Sequence, residues 1–255
     1  MDAIVLAAGF ATRMAPLTDH CPKPLLPVRG VPILDFVLAK VFAVPQVRRV
    51  VLVSNHKFIG HFENWLRWRR PPLPIHLLDD GATSNESRLG AIGDLQLAAE
   101  QAGIAGGALV VAADNLFAAN LAQMVAYANE QSSDCVIVRQ LDDLKARQRT
   151  GIAVLDSNGR VVEFQEKPTA PKTHWAVPPI YVYRRESLNL LGDYLQQGNH
   201  HDSPGNLLKW LCVRRRVLAW RCDAEIFDIG NLDHYARAQV EFDAAKQAVF
   251  DIKPW

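Results

Sequence analysis

Apolar and polar positions in the first half of the chain alternate between two periods. "AIVLAA" at 3–8 is a short apolar run ending at Gly9, the pattern of a strand buried on both faces. After the proline-spaced segment "PLTDHCPKPLLPV", residues 33–43 ("ILDFVLAKVFA") place apolar side chains at helical spacing. "RRVVLVSN" (48–55) predicts a second strand, "FIGHFENWLRWR" (58–69) an amphipathic helix, and "IHLLDD" (75–80) a third strand. A helix over 87–103 ends near Gly103, and "GALVVAAD" (107–114) predicts a fourth strand with Asp114 at its carboxyl end. Strands alternating with helices imply a parallel sheet covered on both sides. In such sheets ligands bind beyond the carboxyl ends of the strands. Gly9, Arg13, the glycines after the third strand and Asp114 all fall at that edge.

The pattern changes in the second half. "SDCVIVRQ" (133–140) predicts a strand, and 151–168 a hairpin turning at "SNG". "PPIYVYRRESLNLL" (178–191) predicts a strand and then a helix. Residues 215–223 predict another strand, 225–231 a strand end and turn, and 232–248 a terminal helix. Proline, glycine and histidine at 198–205 mark a loop. No flexible linker separates the halves. The expectation is one domain over 1–255, made of two halves (1–130 and 131–255), with a second lobe inserted on the sheet.

Composition narrows the partners. Of 255 residues, 49% are hydrophobic and 22% charged, enough apolar material for a sizeable core. A net charge of +1 provides no global field to recruit nucleic acid or an acidic membrane. "RWRR" (67–70) and "VRRR" (213–216) are short, interleaved with apolar residues, and read as solvated faces. Cys21, Cys135, Cys212 and Cys222 form no CxxC, so reduced thiols in a cytoplasmic protein are expected, although Cys212 and Cys222 could lie on paired strands. No run approaches 18 apolar residues, no signal peptide is apparent, and no hexapeptide repeat appears. A homo-oligomer stays open.

The chemistry starts at "GFATRM" (9–14). It lacks the lysine and Ser/Thr of a Walker A loop and is not GxGxxG. Its small side chains let backbone N–H groups approach a phosphate chain, with the fork of Arg13 aimed at the same place. Ten residues on, two prolines bracket Lys23 in "CPKP" and stiffen its surroundings.

Together, "LAAGFATRMAPLTDHCPKPLLPV" resembles the N-terminal signature of the sugar-phosphate nucleotidyltransferases, in outline LAAGxGTRMxPLTxxxPKPLxPV. The resemblance extends over nearly the whole chain, with Ala11 standing where the family usually has glycine. It implies an α/β fold, a Rossmann-like three-layer sandwich with a mostly parallel mixed sheet and a small inserted β lobe. It also implies Mg²⁺ dependence and transfer of a nucleotidyl group from a nucleoside triphosphate to a sugar 1-phosphate, with release of pyrophosphate. On this resemblance Leu6, Ala8, Gly9, Ala11 and Thr12 receive the nucleotide, and Arg13 and Lys23 hold its phosphates. "ESRLGAIGDL" (86–95) is similar to ExxLGTAGAL, assigning nucleotide contacts to Asn85, Gly90 and Gly93, with Ala91 and Asp94 as departures. "AADN" (112–115) is similar to GDN and makes Asp114 a metal carboxylate. "FDIGNLDHY" (227–235) is similar to DIGTPxxY and makes Asp228 the second. "FQEKP" (164–168) is similar to FxEKP, with Glu166 at the sugar and Lys167 at its phosphate. "DSPGNLLKWL" (202–211) is read as a second-substrate loop contributing Asp202 and Asn206. His200 and His201 read as surface residues.

Two other readings stay open. A cytidylyltransferase acting on phosphocholine or another phosphorylated amino compound would want an aromatic cage, for which Trp175, Tyr181 and Trp210 are candidates. A non-catalytic nucleotide sensor would more naturally have lost Lys23, Asp114 or Asp228, and all three are present.

Overall fold

The computed structural model describes residues 1–242, and its apolar runs become the strands of one ten-stranded mixed sheet. The first half contributes β1 (Asp2–Leu6), the short pair β2 (Pro27–Val28) and β3 (Val31–Pro32), α1 (Ile33–Phe42), β4 (Val50–Ser54), α2 (Ile59–Arg67), β5 (Ile75–Asp79), α3 (Gly90–Gln101) and β6 (Ala108–Ala112). Here the expected alternation holds, and β5, β4, β1 and β6 lie side by side in parallel register.

The second half contributes β7 (Asn115–Phe117), α4 (Leu121–Glu130), β8 (Asp134–Gln140), α5 (Leu144–Arg147), β9 (Gly151–Leu155), β10 (Val161–Glu166), β11 (Trp175–Val177) and β12 (Ile180–Tyr183). It continues with α6 (Arg185–Leu188), α7 (Leu191–Gln196), α8 (Pro204–Leu211), β13 (Val217–Arg221), β14 (Ile226–Asp228) and α9 (Leu232–Glu241). β12 enters antiparallel between β6 and β8 and makes the sheet mixed. β8 then splits its length: its first five residues pair with β13, while Arg139 and Gln140 pair with β11, which leads to β9 and β10. The inserted lobe is thus a continuation of the same sheet.

The near-continuous apolar character of the central strands follows from cover on both faces. Ala3 and Val5 of β1 point into a core shared with α1, α2 and α4, while Ile4 points into the opposite core with α3, α7 and α8. Ile4 and Val5 are both 0% exposed, and each such side chain contributes about 1.5–3 kcal/mol by leaving water.

Several elements differ from the sequence reading. Residues 204–211 form helix α8, with Ser203 before Pro204 at its first position, so the substrate loop expected over 202–211 is loop only at 202–203. β7, α4 and β11 carried too few residues or too little periodicity to be read; α4 starts where the Asn120 side chain accepts from Gln123 N–H. Asp114 lies past the end of β6, in the turn to β7. "RWRR" is not wholly solvated. Arg69 is part-buried and pairs with the buried Asp35 at 2.9 Å, with the Trp65 indole N–H on the same carboxylate. All four cysteines are free, with Cys212 at the end of α8 and Cys222 just past β13, so they do not sit on paired strands. Residues 243–248 of the expected terminal helix lie outside the described residues.

Candidate functional site

The carboxyl edge of the parallel strands collects the candidate residues. β1 ends at Leu6, and its continuation is held by Ala7 N–H donating to the Val53 carbonyl. Asn55, 0% exposed just past β4, donates to the Ala8 carbonyl at 2.8 Å and accepts from Phe58 N–H. Sequence reading missed Asn55, because a lone asparagine at a strand end carries no pattern.

Beyond Ala8 the chain opens outward. Gly9 and Thr12 are exposed, and the space a side chain at Gly9 would fill is empty out to 4 Å. Ala11 adopts φ +50°, a left-handed conformation that costs an alanine about 1–2 kcal/mol and a glycine almost nothing. The signature's glycine therefore has a backbone reason. The Ala11 carbonyl accepts from the Thr18 hydroxyl at 2.9 Å and from Met14 N–H, which hold the strained turn. Arg13 follows in a single 3-10 turn and is exposed.

Lys23 sits in a second 3-10 turn, between Pro22 and Pro24. Its side chain is 11% exposed, and Nζ donates to Asp114 Oδ2 and to the Ile229 carbonyl, each at 2.7 Å. The other Asp114 oxygen accepts from Asn115 Nδ2 at 2.6 Å. β14 runs antiparallel to β7 with Asp228 opposite Asn115, and Ile229 N–H donates to the Asp114 carbonyl. Asp228 opens to solvent on one side. Crowding by protein on the others, and then the Asp114 charge, raise its pKa, while Lys23, His234 and Arg13 pull it down. Arg13, Lys23, Asp114 and Asp228 thus form one electrostatic neighbourhood.

Among the described residues no group of three or more His, Cys, Asp or Glu is gathered. The protein therefore offers two carboxylates here. That set suits Mg²⁺, which takes one or two carboxylates and completes its shell with water and substrate phosphates.

The sheet register brings Glu166 to the same edge. Glu166 pairs with Gly151, Gly151 with Val177, and two residues later the Pro179 carbonyl accepts from Ala112 N–H. Glu166 is also close enough for its charge to help raise the buried Tyr181 hydroxyl's pKa, an effect that burial dominates. Lys167 is exposed, holds φ +44°, and has Nζ 3.7 Å from Glu166. Asn206 lies in the first turn of α8 and donates its backbone N–H to Ser203.

The aromatic candidates are not gathered. Tyr181 is buried and stacks on Tyr183, Trp175 carries Arg221 over its ring at 4.8 Å, and Trp210 carries Arg214 at 4.1 Å.

Residues 80–94 form the remaining wall. Asn85 lies in this loop, and its carbonyl accepts from Arg88. Gly90 starts α3 at φ +77°, and a Cβ there would lie 2.5 Å from His201 Nδ1, so glycine is needed for both conformation and space. A Cβ at Gly93 would touch Leu89 at 3.0 Å. Asp80 and Asp94 bracket the loop. Asp80 Oδ2 and Asp94 Oδ1 are both buried with no donor, and the two carboxyls lie within hydrogen-bonding reach of one another. Two acceptors facing each other are one proton short of a hydrogen bond. Burial first, and then the Asp80 charge, push Asp94 up to about 8, so near neutrality it supplies that proton.

Comparison with known proteins gives this arrangement a context. The sequence profile of the family described as nucleotidyl transferase matches residues 2–244. The bifunctional protein GlmU of Methanococcus aeolicus is 29% identical over 192 residues, 75% of this chain and 42% of that protein. The glucose-1-phosphate adenylyltransferase of Thermotoga neapolitana is 28% identical over 258 residues, 94% of this chain and 60% of that protein. The chain therefore spans about half the length of the curated relatives it matches. A Bacillus anthracis protein provisionally named glucose-1-phosphate thymidylyltransferase, solved with sucrose, superposes with a TM-score of 0.80. That match covers 94% of both chains at 21% identity and shows a common fold.

Proposed function

Because the chain belongs to the nucleotidyl transferase family, we propose that it joins a nucleoside triphosphate to a sugar 1-phosphate, giving a nucleoside diphosphate sugar and pyrophosphate. The observation that carries this reading is the Lys23–Asp114–Asp228 cluster beneath the open backbone of residues 8–12. Relatives named for glucose 1-phosphate support the acceptor class.

In the proposed reaction an oxygen of the sugar phosphate attacks the α-phosphorus in line. The bond from the α-phosphorus to the oxygen bridging to the β-phosphorus breaks, and the electron pair leaves on pyrophosphate. The nucleophile is already an anion, so no strong base is needed; the protein's work is positioning and charge compensation. The open loop at Gly9–Thr12 lets the triphosphate lie against the backbone. Arg13 and Lys23 offset the charge of the departing pyrophosphate. Lys167 holds the incoming phosphate, and Glu166 accepts hydroxyls of the sugar. Asp114 and Asp228 would hold Mg²⁺, which when bound supplies positive charge to the α-phosphate region. The engaged or buried state of Trp175, Tyr181 and Trp210 argues against a choline cage.

The test is pyrophosphate release with Mg²⁺, each of five nucleoside triphosphates being offered with a panel of sugar 1-phosphates, phosphocholine and phosphorylated amino sugars. Release with a sugar 1-phosphate supports the reading. Release with phosphocholine alone, or triphosphate binding without release under any pairing, overturns it.

A further inference from the structure

Arg88 and Asp202 come from opposite halves of the chain and meet in a two-pronged ion pair. Arg88 Nε donates to Asp202 Oδ1 at 3.0 Å and Nη2 to Oδ2 at 2.9 Å. The remaining arm of the guanidinium, Nη1, donates to the Asn85 carbonyl, so one side chain grips both Asp202 and the backbone of the nucleotide loop.

The segment that carries Asp202 is itself fixed to the same loop. Ile92 N–H donates to the His201 carbonyl at 2.9 Å, and His201 Nδ1 lies 2.7 Å from the Leu89 carbonyl. The left-handed Gly90 passes so close that a Cβ would lie 2.6 Å from the His201 carbonyl oxygen and 2.9 Å from Asp202 Cα. At its front end the segment is held by the Tyr194 hydroxyl, which donates to the His200 carbonyl at 2.6 Å. At its rear it enters α8, where a Cβ on Gly205 would lie 2.1 Å from Glu166 Oε2. Asp202 is thus mounted on a strut anchored at both ends, and its carboxylate is paired with the guanidinium of the nucleotide loop.

We propose that Asp202 is a positioning residue for the nucleotide: through Arg88 it holds residues 83–92 in their binding conformation and does not itself touch substrate. The proposal rests on the nucleotidyl-transfer reading for what the loop binds. The tie between strut and loop stands on the contacts alone. Both oxygens of the part-exposed carboxylate accept from the guanidinium, whose hydrogen bonds first and then its charge hold the pKa below the ordinary value, so it is already paired with a protein partner. Loss of the tie leaves Arg88 with one arm and loosens the loop ahead of its remaining contacts at Leu89 and Ile92, so that nucleotide binding must first order it again.

Asp202→Asn and Asp202→Glu test this with two independent readouts. The first is amide hydrogen exchange without ligands, where Asp202→Asn should speed exchange over 83–92 by about tenfold, leave β1 and β6 unchanged, and be largely reversed by Asp202→Glu. The second is steady-state kinetics with each of five nucleoside triphosphates and glucose 1-phosphate. There Asp202→Asn should raise the nucleotide KM by about tenfold, with kcat and the acceptor KM within about twofold of wild type. Unchanged exchange over 83–92 overturns the tie. A raised acceptor KM with the nucleotide KM unmoved overturns the positioning role and makes Asp202 an acceptor contact. Equal losses in every parameter with a lowered Tm would show a merely structural role and also overturn it. If the wild type turns over no triphosphate, the nucleotidyl-transfer reading fails, and the exchange experiment still decides the tie by itself.

Discussion

Replacing Asp94 with asparagine should make the protein more stable, and by an amount that grows with pH. Asp94 is 5% exposed on the first turns of α3, against the half-buried Asp80. Its carboxyl is displaced from 3.8 to about 8 in the folded protein, by burial first and then by the Asp80 charge. Between those values the folded state holds a proton that the unfolded chain has released. The unfolded state binds fewer protons, so stability falls as pH rises, by about 1.4 kcal/mol per pH unit. The loss starts above the unfolded value near 4 and is complete once pH passes the folded value near 8. From pH 5 to pH 8 it amounts to roughly 4 kcal/mol as an upper bound. Asparagine has nothing to release, and its amide can donate to Asp80 as the protonated acid does. The gap between Asp94→Asn and wild type should therefore widen by up to roughly 4 kcal/mol over that interval, equivalent to roughly 8–16 °C in Tm for a chain of this size. Urea unfolding followed by circular dichroism at pH 5, 6.5 and 8 measures it, and the difference between variants removes the titrating groups that do not touch Asp94, leaving the Asp80–Asp94 pair. Parallel stability curves would refute the shared proton.

Three further outcomes follow from the site. Asp114→Asn or Asp228→Asn should lower turnover at limiting Mg²⁺ by at least about a hundredfold, with little change in Tm; near-normal turnover would show that the carboxylate does not hold the cation. Arg13→Ala should chiefly impair nucleotide use and Lys167→Ala acceptor use, each by about 1.5–3 kcal/mol, and steady-state constants for both substrates would expose any failure of that division. Ala11→Gly should raise stability by about 0.5–1 kcal/mol, the strain relieved at φ +50° less the added entropy of the unfolded chain, as thermal unfolding would show; a loss of stability would mean the methyl packs better than its conformation costs.

The first half of the fold was legible because its strands are buried on both faces and so appear as unbroken apolar runs. β1, β4 and β6 need no partner to be recognised, and the helices between them carry a clear period. The second half was less so. β7 and β11 have three residues each, too short for any period, and they are strands only because β14, β8 and β9 supply their hydrogen bonds. α8 was obscured by the proline and glycine that begin it, residues that mark a loop in isolation and a helix start when Ser203 precedes them.

The site divides in the same way. Lys23 was conspicuous because two adjacent prolines distort the local sequence, and Ala11 because it stands where the resembled signature has glycine. Both signals are local. Asp94, Asp202 and Asn55 owe their placement to partners far away in sequence, which no reading of neighbours can supply. Asp94 reads as a polar intrusion in a helix until Asp80 is placed against it, 14 positions earlier in the chain. Asp202 reads as a loop carboxylate until Arg88 arrives from 114 positions away. In each case the side chain's chemistry is decided by what closes on it: burial, and then a second carboxyl, make one aspartate hold a proton near neutrality, and hydrogen bonds from a guanidinium bring the other below its ordinary value. The same residue type, on two sides of one loop, thus supplies a neutral donor at the loop's root and a fixed anion at its tip.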